Sequence, residues 1–455
     1  MPYTSSQRLQ NFRKTFSLVV MVFAIMLFCI PAAMAQSPAA SGHIDSGDTA
    51  WMMTAAALVM LMTPGLALFY GGMVRSKNIL NMLMQSFVAL GIVTLVWTLY
   101  GYSLSFAPGN AFIGSLQWLG LRGVTEAPSR LYAPTVPHQA YMIYQMMFAI
   151  ITPALISGAI AERMKFSTYV VFILLWSTFI YCPIAHWVWG SGGWLNSLGA
   201  LDFAGGTVVH ISSGVSALAL ALALGKRNTD YQETGEEMRP HNLPMTLIGA
   251  ALLWFGWFGF NAGSALASGG LAVSAFVSTH IAAAMGGLAW ALIEWRLYKK
   301  PTALGFATGA VAGLVAITPA AGFVGPLPAV LIGVCVSFIS FYAIKLKHKF
   351  HYDDALDVFG VHGIGGMWGA LATGLFASLA VNSAGANGLF FGGGFTLLVK
   401  QIAAVASVAA YAGIGTWFLV VVLKATIGLR VSPEEENVGL DISLHGETAY
   451  TTADS

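Results

Sequence analysis

Asp202-Phe-Ala-Gly-Gly-Thr-Val-Val-His210-Ile-Ser-Ser-Gly-Val-Ser-Ala-Leu-Ala-Leu-Ala-Leu-Ala-Leu224, closed by Gly225-Lys226-Arg227, is the stretch on which the fold turns. From Phe203 to Leu224 it carries a single imidazole and no Asp, Glu, Lys or Arg. A helix needs about 20 mainly apolar residues to cross roughly 30 Å of hydrocarbon. Asp202 stands where a carboxylate can cap the helix N-terminus and oppose its dipole, with a cation ligand as the alternative role. Lys226 and Arg227 mark the other end as cytoplasmic, because loops on that side hold the basic residues.

The rest of the chain repeats this plan. Hydrophobic residues make up 57% of it and charged residues only 9%, against about a quarter charged in soluble domains. The 51 glycines suit close packing of apolar helices. Eleven apolar runs are expected to span, centred on 50–73, 80–104, 139–160, 167–188, 203–224, 244–266, 271–294, 303–320, 325–344, 359–381 and 398–423. Basic clusters follow every odd-numbered run: Arg75/Lys77, Arg163/Lys165, Lys226/Arg227/Arg239, Arg296/Lys299/Lys300, Lys345/Lys347/Lys349 and Lys424/Arg430. After the first 35 residues, only Arg122, Arg130 and Lys400 fall on the other side. An odd number of spans, with the N-terminus outside and the C-terminus in the cytoplasm, satisfies this alternation.

Arg8, Arg13 and Lys14, the run Phe16 to Ile30, and Ala33-Met34-Ala35 match a secretory signal peptide over residues 1–35. An uncleaved first helix is the other reading. The sequence then divides into a transmembrane body, 36–424, and a tail, 425–455, whose polar run with Glu434-Glu435-Glu436 reads by composition as a solvated end. The net charge of +2 gives no footprint for nucleic acid. Cys29, Cys182 and Cys335 imply no metal or disulfide framework. With no P-loop, His-Glu-x-x-His or Gly-x-Ser-x-Gly, the chain reads as a non-enzyme needing no cofactor; an intramembrane hydrolase is the one formal exception.

Eleven spans divide as five, five and one. Two five-span halves must lie in opposite orientations, a plan that puts transport sites near the bilayer midplane. Ionisable groups at that depth are functional by default. His210 in the fifth span and His362 in the tenth are the leading pair, each following an acidic residue and glycines: Asp202 eight residues before His210, Asp357 five before His362. The unequal spacings make the internal symmetry weak. The two imidazoles either meet in a lumen and share a hydrogen bond, or stand apart bonded to helix backbones. Phe148, Trp187, Trp189, Trp194, Trp257 and Phe260 crowd the predicted outer ends, as belt anchors or as a cage for a compact cation. Ser264 is a candidate acceptor or an interhelical contact.

Several segments together carry a family likeness. Asp202 to His210, Gly158-Ala-Ile-Ala-Glu-Arg163, Ala185-His-Trp-Val-Trp189, Gly256-Trp-Phe-Gly-Phe-Asn-Ala-Gly-Ser264, Leu314-Val-Ala-Ile-Thr-Pro319, Asp357-Val-Phe-Gly-Val-His-Gly363 and Gly428-Leu-Arg-Val resemble an ammonium transporter of the Amt branch of the Amt/Mep/Rh superfamily. That resemblance implies a homotrimer in the bacterial inner membrane, Gram-negative with such a leader, with one pore per subunit. It implies ammonium or methylammonium as substrate and a PII-type regulator at the cytoplasmic face. It also assigns roles: His210 and His362 as twin histidines of the lumen, Phe148 and Phe260 as an occluding gate, and Trp257 as pore lining. Phe148, Trp189 and Ser264 match the external recognition site, with Asp202 supporting it from behind. The tail resembles one that communicates between subunits, against its composition. Tyr144, where the family often has phenylalanine, is a departure in the outer vestibule. A sensor and an electroneutral gas channel of the Rh kind are the rival functions.

Overall fold

A computed structural model describes residues 43–228 and 240–450. The signal peptide and most of the loop after Lys226 fall outside the described residues. Eleven helical segments coincide with the eleven predicted runs: α1 Ser46–Met73, α2 Ser76–Phe106, α3 His138–Ile160, α4 over 166–189, α5 Gly206–Leu224, α6 Leu243–Ala265, α7 Gly270–Tyr298, α8 Ala303–Ile317, α9 Pro326–Lys349, α10 over 359–376 and α11 Thr396–Thr426. Among the described residues, nine helices are long and apolar enough to cross a membrane, while α8 is a shorter apolar helix. Pro319, two residues beyond α8, has no N–H with which to extend it. The glycine-rich α10 is diluted in hydropathy by Gly363, Gly365, Gly366 and Gly369.

Packing sets the layout. α3 is buried along nearly its whole length and forms the central pillar, whereas α11 leaves most of its surface uncovered. Small residues let helices touch backbone to backbone: Gly249 of α6 lies against the backbone of Phe69 in α1. A short hairpin, β1 Pro128–Ser129 with β2 Ala133–Pro137, and the loop 107–127 close one end of the bundle, the hairpin face. The other end is the tail face.

The tail is folded onto the bundle, contrary to its solvated composition. Arg430 pairs with Glu436 at 2.8 Å, and Glu436, 1% exposed, also accepts the N–H of Asn228. Ser432 forms a capping box with Glu435 at the start of the short helix α12, Pro433–Val438. Asp441 accepts the N–H groups of Leu80 and Asn81 at 3.0 and 2.8 Å, so it covers donors near the start of α2. These acidic residues are spent on internal partners.

Candidate functional site

Two helix N-termini build the site, one from each end of the bundle. At the hairpin face, Asp202 accepts the N–H groups of Gly205, Gly206 and Thr207, each at 2.7 Å, and the Thr207 hydroxyl. Gly205 takes φ +115°, a conformation that L side chains rarely adopt, to turn the chain into α5. The first turn of α5, Gly206–Ile211, is wound as a π-helix, a form that appears frequently at functional sites. His210 lies in that turn.

α10 repeats the arrangement, through a residue that sequence reasoning missed. Asp354, not Asp357, caps this helix: it accepts the N–H of Phe359 at 2.7 Å. Asp357 instead takes the position of Gly205, with φ +59°, and its carboxylate pairs with Lys347. A π-turn, Phe359–Gly363, then presents His362. Asp354 precedes His362 by eight residues, as Asp202 precedes His210. The unequal spacing of eight against five is therefore corrected, and the equal spacing was the signal available in the sequence.

The two histidines meet. Their Nδ1 atoms lie 3.2 Å apart and their rings stack at 5.3 Å and 27°, with 1% and 4% of each residue exposed. They can meet because α5 and α10 cross at glycines: a Cβ on Gly214 would stand 2.2 Å from the nitrogen of Gly363. Trp257 and Phe260 stack on His210 at 5.5 and 6.0 Å, and the Trp257 indole donates to Thr318 at 2.9 Å. Thr318 is a second supporting residue not foreseen.

Aromatic rings continue toward the hairpin face. Phe148 lies 4.3 Å from Phe260, and both are 1% exposed. Trp189 meets Phe148 edge-on at 5.9 Å, and its indole donates to the main-chain oxygen of Asp202 at 3.0 Å. Ser264 donates to Phe260 O at 2.9 Å. Tyr144 is fully buried, with its hydroxyl 2.8 Å from Phe260 O and 3.1 Å from Ser264 Oγ, so it ties α3 to the end of α6 rather than lining a vestibule. His280, another histidine within a predicted span, sits on the exposed face of α7 beside Trp254 and takes no part.

A cavity of about 10 Å³ lies between Phe260 and the histidines, lined by Leu66, Ile151, Val209, Trp257, His210 and His362. That is room for about one water-sized molecule. The Nε2 of His210 is buried there without a protein partner. On the tail side, a funnel of about 550 Å³ also reaches His362 and is lined by Arg227, Lys347, Asp353 and Asp357. Arg227 bridges Asp353 at 2.9 Å and Glu162 at 3.5 Å. Burial would raise the Asp353 carboxyl, but the hydrogen bonds and charge of Arg227 hold it below the usual range. Burial, helped by the neighbouring Asp357, pushes Asp354 up to about 6.

Two capped helix starts, a buried histidine pair and two closely packed phenyl rings adjoin one another, and residues 50–450 match the Ammonium Transporter Family. The chain belongs to the ammonium transporter family. It is 55% identical to an ammonium transporter of Bacillus subtilis over 408 residues, covering 90% of this chain and 99% of that one. The crystal structure of Candida albicans Mep2 superposes with a TM-score of 0.81 at 39% identity, over 86% of this chain and 88% of that chain. A structure described as a Sensor Amt Protein gives 0.80 at 30% identity, covering 88% and 98%. The family is one of transporters rather than enzymes. The rings of Trp189, Phe148, Phe260, His210 and His362 contact one another in succession, with Trp257 against His210, while Asp202 and Ser264 bond to the main chain beside them.

Proposed function

We propose that this chain carries ammonium inward across a bacterial inner membrane, recognising it outside as the cation and conducting it past the histidines as ammonia. The observation that carries the reading is the 10 Å³ chamber with the unpartnered Nε2 of His210. A small permeant can hydrogen-bond there, but a cation would lose hydration worth several kcal/mol with only apolar walls and neutral rings in return.

In this reading the hairpin face is periplasmic, and the tail face is cytoplasmic. Trp189, Phe148 and Ser264 hold ammonium or methylammonium, backed by the Asp202 carboxylate. Phe148 and Phe260 part to pass it, and it loses a proton before the lumen lined by Trp257, His210 and His362, the proton following across by way of the two histidines. The eleven helices form two inverted sets of five plus α11. Residues 1–35 are a leader, 36–424 the transport body and 425–455 a cytoplasmic tail, in a homotrimer that accepts a PII-type protein at that face. The docking of Glu436 on the loop before α6 supports a regulatory tail.

Reconstituted protein on a solid-supported membrane tests this, with methylammonium uptake alongside. Ammonium pulses are expected to give current in wild type, and His210→Ala or His362→Ala to lower uptake at least tenfold. Full uptake in both variants would remove the histidines from the route, and uptake without current would favour an electroneutral gas channel.

A further inference from the structure

His186, in the last turn of α4, is 0% exposed and lies off the conduit. Its Nδ1 is 3.0 Å from the carbonyl oxygen of Ser105 and its Nε2 is 2.8 Å from that of Asn110. A backbone carbonyl only accepts, and a neutral imidazole has one N–H to give. With one proton, the second nitrogen would turn a lone pair toward a carbonyl oxygen at hydrogen-bond distance. Both contacts are attractive only when both nitrogens carry hydrogen. The C-terminal turn of a helix also favours a cation.

The enclosure is tight. A Cβ on Gly190 would stand 2.5 Å from His186 Nδ1, and one on Gly193 would stand 2.0 Å from His186 O. Asn110 belongs to a loop closed by its own hydrogen bonds to Phe112 and Ile113, and the loop is pinned to the end of α4 by Trp187 donating to Phe112 O at 2.8 Å. The titratable groups on the surrounding elements are Cys182 one turn earlier in α4, Tyr132 bonded to Ser191 N, Asp202 beyond Trp189, and Tyr411 and Lys400 of α11. The hydrogen bonds of the His186 ring go to the two carbonyls. Trp189 follows three residues later, on the turn that this clamp fixes.

We propose that His186 is a positioning residue held as an imidazolium: its two hydrogen bonds clamp the 105–114 segment to the end of α4 and so set Trp189. Removing those two bonds frees the segment and loosens ammonium recognition. The coupling to recognition rests on the role proposed above for Trp189; the protonation state does not.

Two measurements on the full-length protein in lipid test this. Solid-state NMR with ¹⁵N-labelled histidine, the signal assigned by its loss in His186→Gln, is expected to show both His186 ring nitrogens protonated at pH 6. A single protonated nitrogen there overturns the clamp. Methylammonium uptake in His186→Gln is expected to show KM raised roughly three- to tenfold with kcat little changed, the effect of about one hydrogen bond. Trp189→Ala is expected to raise KM as well, and adding His186→Gln to it to change KM little further. If KM is that of wild type in His186→Gln while Trp189→Ala remains impaired, the coupling is wrong. If Trp189→Ala leaves KM unchanged, the recognition role fails, and the NMR result stands as the separate test of the clamp.

Discussion

Replacing Gly214 with alanine tests whether the crossing of α5 and α10 holds the histidines together. The new Cβ would stand 2.2 Å from the nitrogen and 2.4 Å from the Cα of Gly363, both backbone atoms that cannot rotate aside. Ordinary contact needs about 3.5 Å, so the helices must part by roughly 1.3 Å. Carried through to the rings, that stretches the 3.2 Å Nδ1 separation to about 4.5 Å, past hydrogen-bond reach. Overpacking of this kind costs about 1–3 kcal/mol of stability. Thermal unfolding in detergent and methylammonium uptake in proteoliposomes read the two effects, with Gly91→Ala as control, since nothing lies within 4 Å of a Cβ there. We expect uptake to fall at least tenfold in Gly214→Ala and not in the control. Gly363→Ala should be milder, because its Cβ meets first the Phe359 ring at 2.6 Å, which can turn. Wild-type uptake and melting in Gly214→Ala would refute the claim that this contact sets the pair.

Asp202→Ala strips three short N–H groups of their acceptor and is expected to cost about 2–4 kcal/mol in chemical unfolding. Asp202→Asn should cost less and leave the Trp189 indole bond intact, since that bond uses the main chain. Asp354 has its folded value raised to about 6, so its favourable contribution is complete below the ordinary carboxylate value and is lost as pH rises from about 4 through 6. That loss is about 3 kcal/mol. Asp354→Asn should therefore gain stability relative to wild type between pH 4 and 7, read as the difference in melting temperature; a pH-independent difference would contradict it. Asp353 and Glu162 lie below the usual range, so their contribution is present above the ordinary value and fades as pH falls through it. Wild-type protein should consequently melt earlier below pH 4. Tyr144→Phe removes one hydroxyl and should cost about 1 kcal/mol while sparing uptake, whereas a tenfold loss of uptake would place that hydroxyl in recognition.

Spans were legible because hydropathy and the basic residues report the same boundaries twice. The histidine pair was half legible: composition marks both as costly, but only the opposed helix starts bring residues 152 positions apart into contact. Asp354 was passed over because the nearer acid, Asp357, was matched with Asp202. A residue in the left-handed region and a π-turn lie between cap and histidine, and neither leaves a residue-type signature. The tail misled for a related reason. Glu436 and Asp441 count as solvated by composition, yet each is buried against donors that belong to distant segments.

The chamber between Phe260 and His362 has one more property. A passage that admits a single water-sized body, shut by two rings at one end, cannot sustain a column of solvent. As the route proposed above, it is an insulator between turnovers, so a membrane crowded with copies of it keeps its voltage and its proton gradient. On that proposal selectivity and electrical tightness share one cause, and widening the chamber at Leu66 or Val209 would spoil both together.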